Sequence, residues 1–265
     1  MSDSRRTFNR RTALKSAGVL IGGTGLMGTA SARGGSTESA EQQSGLWSSW
    51  EMGATWEPAK DEISLASEEF EALSDNVDKE GVAHIGSLAA KDDVYSEWTG
   101  IHVGTTESML HFFRGDEPDE EGRNLYYVLF WAVGSPRWFA KVREIESRIS
   151  LPEDEAVITG FAPDEDLSAD CTTKPLSVGS SYGGTDMSVS TDIELCAGSL
   201  GPSSDIGLSE WGLLYDGGWT GSGLGYGVRQ FAKGALEFRS EADLDEADLE
   251  GDFLEWTPSC RLIIV

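Results

Sequence analysis

Leu125-Tyr126-Tyr127-Val128-Leu129-Phe130-Trp131-Ala132-Val133 is the most hydrophobic run between residue 33 and the C-terminus. Its aromatic and β-branched residues, with no polar alternation, predict a central strand buried on both faces. Ser135-Pro136 follows as a helix start, with a capping residue and a proline at the first helical position. Trp138, Val142, Ile145 and Ile149 then recur at spacings of four, three and four. That spacing predicts an amphipathic helix ending before Pro152.

Upstream, Asp116-Glu117-Pro118-Asp119-Glu120-Glu121-Gly122 reads as a solvated acidic turn, and Gly100-Ile101-His102-Val103 as a strand. Ala66, Phe70, Leu73 and Val77 share one helical face, which predicts a helix over Asp61 to Val77. Downstream, short strand-forming runs (Ala156 to Thr159, Met187 to Thr191, Ala235 to Phe238) are separated by Gly, Ser and Pro clusters. Gly217 to Gly227 mixes glycines with aromatics and reads as strand and tight turn. Arg261-Leu262-Ile263-Ile264-Val265 closes the chain as a strand inside the sheet. The expected fold class is α+β: a mainly antiparallel, sandwich-like sheet with one or two amphipathic helices. Residues 1–32 are expected to be a signal peptide, 33–58 a polar linker carrying Trp47, Trp50 and Trp56, and 59–265 one strand-rich acidic domain.

The N-terminus runs Ser4-Arg5-Arg6-Thr7-Phe8-Asn9-Arg10-Arg11-Thr12-Ala13-Leu14-Lys15, then a Gly-rich apolar stretch from Ala17 to Ala30, then Ala30-Ser31-Ala32. Basic start, apolar middle and small-residue end make a cleavable export signal. Both arginine pairs resemble the twin-arginine signal Ser-Arg-Arg-x-Phe-Leu-Lys, each in part. That resemblance, confined to the leader, implies export in folded form with Arg33 as the mature N-terminus. The apolar stretch of about 14 residues is short of the roughly 20 needed to span a bilayer, and no stable membrane span is expected in the mature chain.

The chain carries 20 Lys+Arg against 46 Asp+Glu; the leader holds five of the former and one of the latter, leaving 15 and 45, a net charge of -30 over residues 33–265. Only six lysines remain there. Such an excess repels itself in dilute buffer but is screened in molar salt, where the Debye length is about 3 Å. Nine Trp, ten Phe and six Tyr supply material for a core, which argues against a disordered acidic chain. An acid-rich, Lys-poor surface behind such a leader resembles the secreted proteins of haloarchaea. The same charge argues against nucleic acid and against an anionic membrane surface as partners.

Three cysteines, Cys171, Cys196 and Cys260, lie in the part expected to be exported. Three is odd, so one stays free or pairs between chains. Cys171 with Cys196 and Cys196 with Cys260 are both open as pairings.

Each candidate for chemistry has a plainer reading beside it. Gly179-Ser180-Ser181-Tyr182-Gly183 matches a nucleophile elbow, but no histidine follows it and its surroundings read as turn and strand. His84, His102 and His111 have no helical metal-binding spacing. The glycines of 221–227 lack a phosphate-loop ending. The acidic run Asp243 to Asp252 lacks the Gly and Glu of a calcium loop and reads as a solvated face. No cofactor and no metal are expected.

The remaining feature is a recurrent Glu-Trp neighbourhood: Trp50-Glu51, Trp56-Glu57, Glu97-Trp98, Glu210-Trp211 and Glu255-Trp256. Indoles stack on sugar rings and paired carboxylates hydrolyse glycosides. This names Glu97, Glu210 and Glu255 as candidate catalytic residues and Trp98, Trp211, Trp219 and Trp256 as candidate binding residues. Alternation along a strand offers the plainer account, with Trp in the core and Glu in brine. The reading preferred from sequence is a secreted, non-catalytic protein that binds an extracellular protein or glycan. A secreted carboxylate-dependent glycan hydrolase, or an antagonist resembling the halocins of haloarchaea, are its rivals.

Overall fold

A computed structural model describes residues 53–66, 77–203, 207–218, 226–249 and 253–264. The leader, most of the linker, most of the expected helix at Asp61 to Val77, and Trp219 with the glycines that follow it lie outside the described residues.

Fifteen strands follow one another: β1 (Ala54–Trp56), β2 (Ser64–Leu65), β3 (Asp78–Glu80), β4 (Val82–Tyr95), β5 (His102–Gly115), β6 (Asn124–Pro136), β7 (Ala140–Ser150), β8 (Ala156–Ala162), β9 (Leu167–Ser168), β10 (Thr173–Tyr182), β11 (Thr185–Glu194), β12 (Ser199–Pro202), β13 (Glu210–Asp216), β14 (Gln230–Ser240) and β15 (Glu255–Ile264). One helical turn, α1 (Glu246–Leu249), precedes β15, and a 3-10 turn at Lys60–Glu62 precedes β2. The strands form a six-stranded sheet ordered β1-β15-β7-β13-β12-β9, a second ordered β2-β4-β5-β6-β14-β8, and a three-stranded sheet ordered β10-β11-β3. Every pairing is antiparallel.

The central strand expected from Leu125 to Val133 is β6, lying between β5 and β14. Its burial on both faces has a specific cause. On one face a Cβ added at Gly134 would lie 3.0 Å from Val142 and 3.1 Å from the Cys260 sulfur. On the other face the Tyr127 hydroxyl meets Ser180 Oγ at 3.0 Å. The first face thus packs on the sheet holding β7 and β15, the second on the β10–β11 hairpin. A strand with a layer on each side must be apolar on both, and Tyr126, Tyr127, Val128 and Phe130 are all buried.

The α+β assignment is overturned: the regular structure of the described residues is almost wholly antiparallel strand, and no helix among them reaches seven residues. The helix expected from Ser135 to Ile149 is the end of β6, a turn at Arg137–Phe139, and β7. A bulge explains the misleading spacing. β15 pairs Arg261 with Glu144 and then Leu262 with Val142, so Arg143 has no partner on that side. The extra residue shifts the inward row by one. Ala140 and Val142 face the core, then Ile145, Ser147 and Ile149. Two runs of period two joined by a single slip leave apolar residues at 142, 145 and 149, the intervals of a helix. At the other helix, Lys60–Glu62 is a 3-10 turn and Ser64–Leu65 is strand β2.

Cys171 and Cys196 form a disulfide, and Cys260 is a free, buried thiol. Burial pushes that thiol up to about 12, against the small opposing effect of a hydrogen bond with Thr106.

Candidate functional site

Three connections converge at one end of the two large sheets. The β4–β5 turn is held by Ser96: its N–H donates to the Ile101 carbonyl, its carbonyl accepts from Gly100 N–H, both at 2.8 Å, and its hydroxyl accepts from Thr99 N–H. The β6–β7 turn is tied to β5, because Arg137 N–H donates to the Val103 carbonyl at 2.8 Å. The β13–β14 connection is tied to that turn, because Gly227 N–H donates to the Ala140 carbonyl at 3.0 Å. Gly227 has φ +71, and a Cβ there would lie 3.2 Å from Trp138 Cα, so the site needs glycine on two counts.

These turns carry the large exposed aromatics. Trp138 is 80% exposed, Trp98 63%, Tyr95 53% and Tyr226 51%. Trp138 packs edge-on against Phe139, and Lys141 Nζ sits 5.0 Å from the centre of the Tyr226 ring. Rigid turns thus hold flat apolar surfaces out into solvent.

Beside these turns lies an open cleft of about 570 Å³ lined by Asp93, His102, Thr105, Ser135, Arg137 and Arg229, among others. Its hub is His102. The Arg137 guanidinium donates to Nδ1 at 2.9 Å, which fixes that nitrogen as acceptor and places the neutral ring's proton on Nε2. Nε2–H then donates to the Gly104 carbonyl at 2.7 Å, with Asp93 Oδ1 3.4 Å away. The Tyr95 ring is tilted against the same imidazole at 5.2 Å. Carboxylate, guanidinium, hydroxyl and imidazole groups therefore line one shallow surface, with the Tyr95 ring against its imidazole. Such a surface can hold a polyhydroxylated ring, presenting flat apolar faces to C–H groups and both donors and acceptors to hydroxyls.

The residues singled out from sequence divide between two ends of the molecule. Glu97 and Trp98 belong to the turn just described. Glu210 and Glu255 do not: both pair with Ser150 at the far end of β7, one from each side. They sit on one outer row, about 10 Å apart across two strand spacings, and about 30 Å of strand separates that row from the β6–β7 turn. Their neighbours Trp211 and Trp256 flank Ile149 on the opposite face and are 1% and 5% exposed. The Trp256 indole N–H donates to Ser147 Oγ at 3.1 Å, inside the core. Glu255 does border a groove of about 460 Å³, with Glu57, Lys60, Asp61, Leu88 and Leu249. Tyr95, Trp138, Arg137 and Tyr226 were missed from sequence. The local signal was an aromatic within two residues of a turn former, in Tyr95-Ser96, Pro136-Arg137-Trp138 and Tyr226-Gly227.

Ser181, from the elbow-like motif, bonds the Asp186 carboxylate across the β10–β11 hairpin, with no histidine beside it. His84 and His111 are linked through the Ser87 hydroxyl, far from His102. Among the described residues no three His, Cys, Asp or Glu side chains converge to hold a metal.

No protein-family model matches the chain, and no curated protein matches it. Among solved structures, one described as "Pore forming protein" aligns over 60% of this chain and 75% of its own, with a TM-score of 0.35 and 8% identity. At that score the likeness carries no argument about this chain. No described helix is long and apolar enough to cross a membrane.

Proposed function

We propose that this chain is a secreted, non-catalytic binding protein suited to high salt, and that it takes a glycan at the three-turn end of its sheets. The observation that carries the reading is that Tyr95, Trp98, Trp138 and Tyr226, all more than half exposed, lie on or beside the turns that border a cleft of mixed polar groups. Exposed aromatics grouped on adjacent, hydrogen-bonded turns mark an interaction surface, because each leaves apolar area in water that a ligand would cover. The leader supports placement outside the cell. The net charge of -30 supports a working environment of molar salt, in which stacking and hydrogen bonds survive while long-range charge steering does not. Glu97 lies at the opposite end of the sheets from Glu210 and Glu255, and the tryptophans beside those two are buried, which supports binding over hydrolysis.

The test is a glycan array in molar salt followed by titration of the retained glycan. Trp138→Ala is expected to weaken binding at least tenfold, about 1.4 kcal/mol, and Arg137→Ala similarly. Failure of every glycan to bind, or binding indifferent to both changes, would reject the reading.

A further inference from the structure

The β10–β11 hairpin differs from every other long strand pair in the molecule. Its ten-residue strands pair with each other along their whole length, Thr173 with Glu194 through Tyr182 with Thr185. Their other backbone ladder is a short one, three residues of β3 against β11. Neither strand is hydrogen-bonded into the two six-stranded sheets.

Its two faces are chemically distinct. The row against the sheet carries Lys174, Leu176, Val178, Ser180 and Tyr182 on β10 and Thr185, Met187, Val189, Thr191 and Ile193 on β11, with Lys174 paired to Asp170 at the foot of the hairpin. On the outer row of β10, Thr173, Pro175, Ser177, Gly179 and Ser181 carry no charge at all. On β11 the outer row has Ser188 and Ser190 at its centre, with Asp186, Asp192 and Glu194 towards its ends. The outer row of β7, by contrast, carries Glu144, Glu146 and Arg148. Ten alternating residues per strand, with the large aliphatic and aromatic side chains confined to the inward row and a small, hydroxylated centre to the outer one, is the pattern of a strand with lipid on one side and a water-filled lumen on the other.

The hairpin is also built to move as a unit. β9 and β12, which pair with each other inside the first large sheet, lead directly into β10 and out of β11. The ribbon is therefore continuous and bends between the two parts. The bend falls at Cys171, a non-glycine residue with φ +53, and at Gly198, with φ +74. The Cys171–Cys196 disulfide ties the two feet there, so the strands keep their register if the hairpin swings out. Besides the β3 ladder, four polar contacts hold it down: Ser180 with Tyr127, Tyr182 with Arg239, and Lys233 Nζ with both Thr191 Oγ1 at 3.4 Å and the Asp192 carbonyl at 2.7 Å.

We propose that the β10–β11 hairpin is a bilayer-spanning element, lodged on the sheet in this form and released when several copies assemble. Straightening the ribbon at Cys171 and Gly198 turns the apolar row from the sheet to lipid and the Ser/Gly row to a lumen. Strands of about 33 Å, tilted as barrel strands are, cover an apolar band of about 25 Å. A lone hairpin would leave its edges unpaired in lipid, so the inserted form is a closed ring of hairpins. The inference rests on the hairpin alone and does not depend on the glycan reading.

The test is dye release from phosphatidylcholine vesicles in molar salt by the full chain. Its partner is a variant carrying Glu80→Cys and Ser188→Cys, residues paired across β3 and β11. The disulfide they form fastens the hairpin to β3, which Gly81 alone joins to β4 of the second large sheet. The unaltered chain and each single substitution are expected to release dye. The doubly substituted, oxidised chain should release at least tenfold less, with an unchanged circular dichroism spectrum showing that it folds. No release by the unaltered chain overturns the proposal, as does equal release by the fastened one. Glycan titration of the fastened chain separates this outcome from failure at the three-turn end, which the new bond does not touch.

Discussion

The Ser87 hydroxyl lies 2.7 Å from His111 Nδ1, and both side chains are buried between layers of the structure. His84 Nε2 reaches the same hydroxyl at 3.0 Å, so one serine joins two imidazoles. Burial, then the neighbouring His84 and Lys79, lower the His111 pKa to about 4. The folded state therefore resists a proton that the unfolded chain takes up near pH 6.5. Stability present above that value is lost as pH falls from about 6.5 towards 4, by roughly 3 kcal/mol at most. Urea melts from pH 7.5 downward are expected to show this slope, and His111→Leu should flatten it.

Asp119 anchors the β5–β6 turn. Its carboxylate, 1% exposed, accepts from the N–H groups of Glu121 and Arg123 and from Arg123 Nε at 2.8 to 2.9 Å, with Arg239 at 3.5 Å. Burial pushes its pKa up, but these donors outweigh that and hold it below the usual range. Asp119→Ala is expected to cost about 3 kcal/mol, because the arginines are left without their buried partner. Thermal melts read the loss.

Trp138 and Trp211 make a controlled pair. Truncating exposed Trp138 to alanine should leave the melting temperature within a degree or so. Truncating Trp211, buried at 1%, should cost roughly 3–5 kcal/mol through the void it leaves.

Cys260 is expected to resist alkylation in the folded chain, since its thiol is buried and its pKa is raised. In denaturant without reductant a single alkyl group should be gained, and mass spectrometry counts it. Three groups would mean that the Cys171–Cys196 bridge is absent.

Dilution from molar salt to about 0.1 M is expected to unfold the chain, as screening of the -30 charge is lost. Circular dichroism across that range checks it; an unchanged spectrum would refute it.

How much of this was legible in the sequence varied with the cause. β6 was readable because a layer covers each of its faces, and an unbroken apolar run follows from that alone. β7 was not, because the bulge at Arg143 is set by its pairing with β15, more than a hundred residues away, and the slip it introduces imitates a helical period. The Glu-Trp pairs at Glu210 and Glu255 were ambiguous until pairing placed both tryptophans beside Ile149. The three-turn end was illegible as a whole: Tyr95, Trp138 and Tyr226 are far apart in sequence, and only hydrogen bonds between turns bring them together.

The bulge at Arg143 also makes β7 behave like a reading frame. Ala140 and Val142 are in phase with Ile145, Ser147 and Ile149 only because one residue is skipped between them. Remove Arg143, and Val142, Glu144 and Ile145 follow one another in plain alternation, so both halves keep their apolar side chains inward with no bulge. Remove Glu144 as well, and Val142 adjoins Ile145, so one half must turn its apolar side chains into brine while Lys141 enters the core. Descendants of this sequence should therefore tolerate length changes in this strand by parity rather than by size.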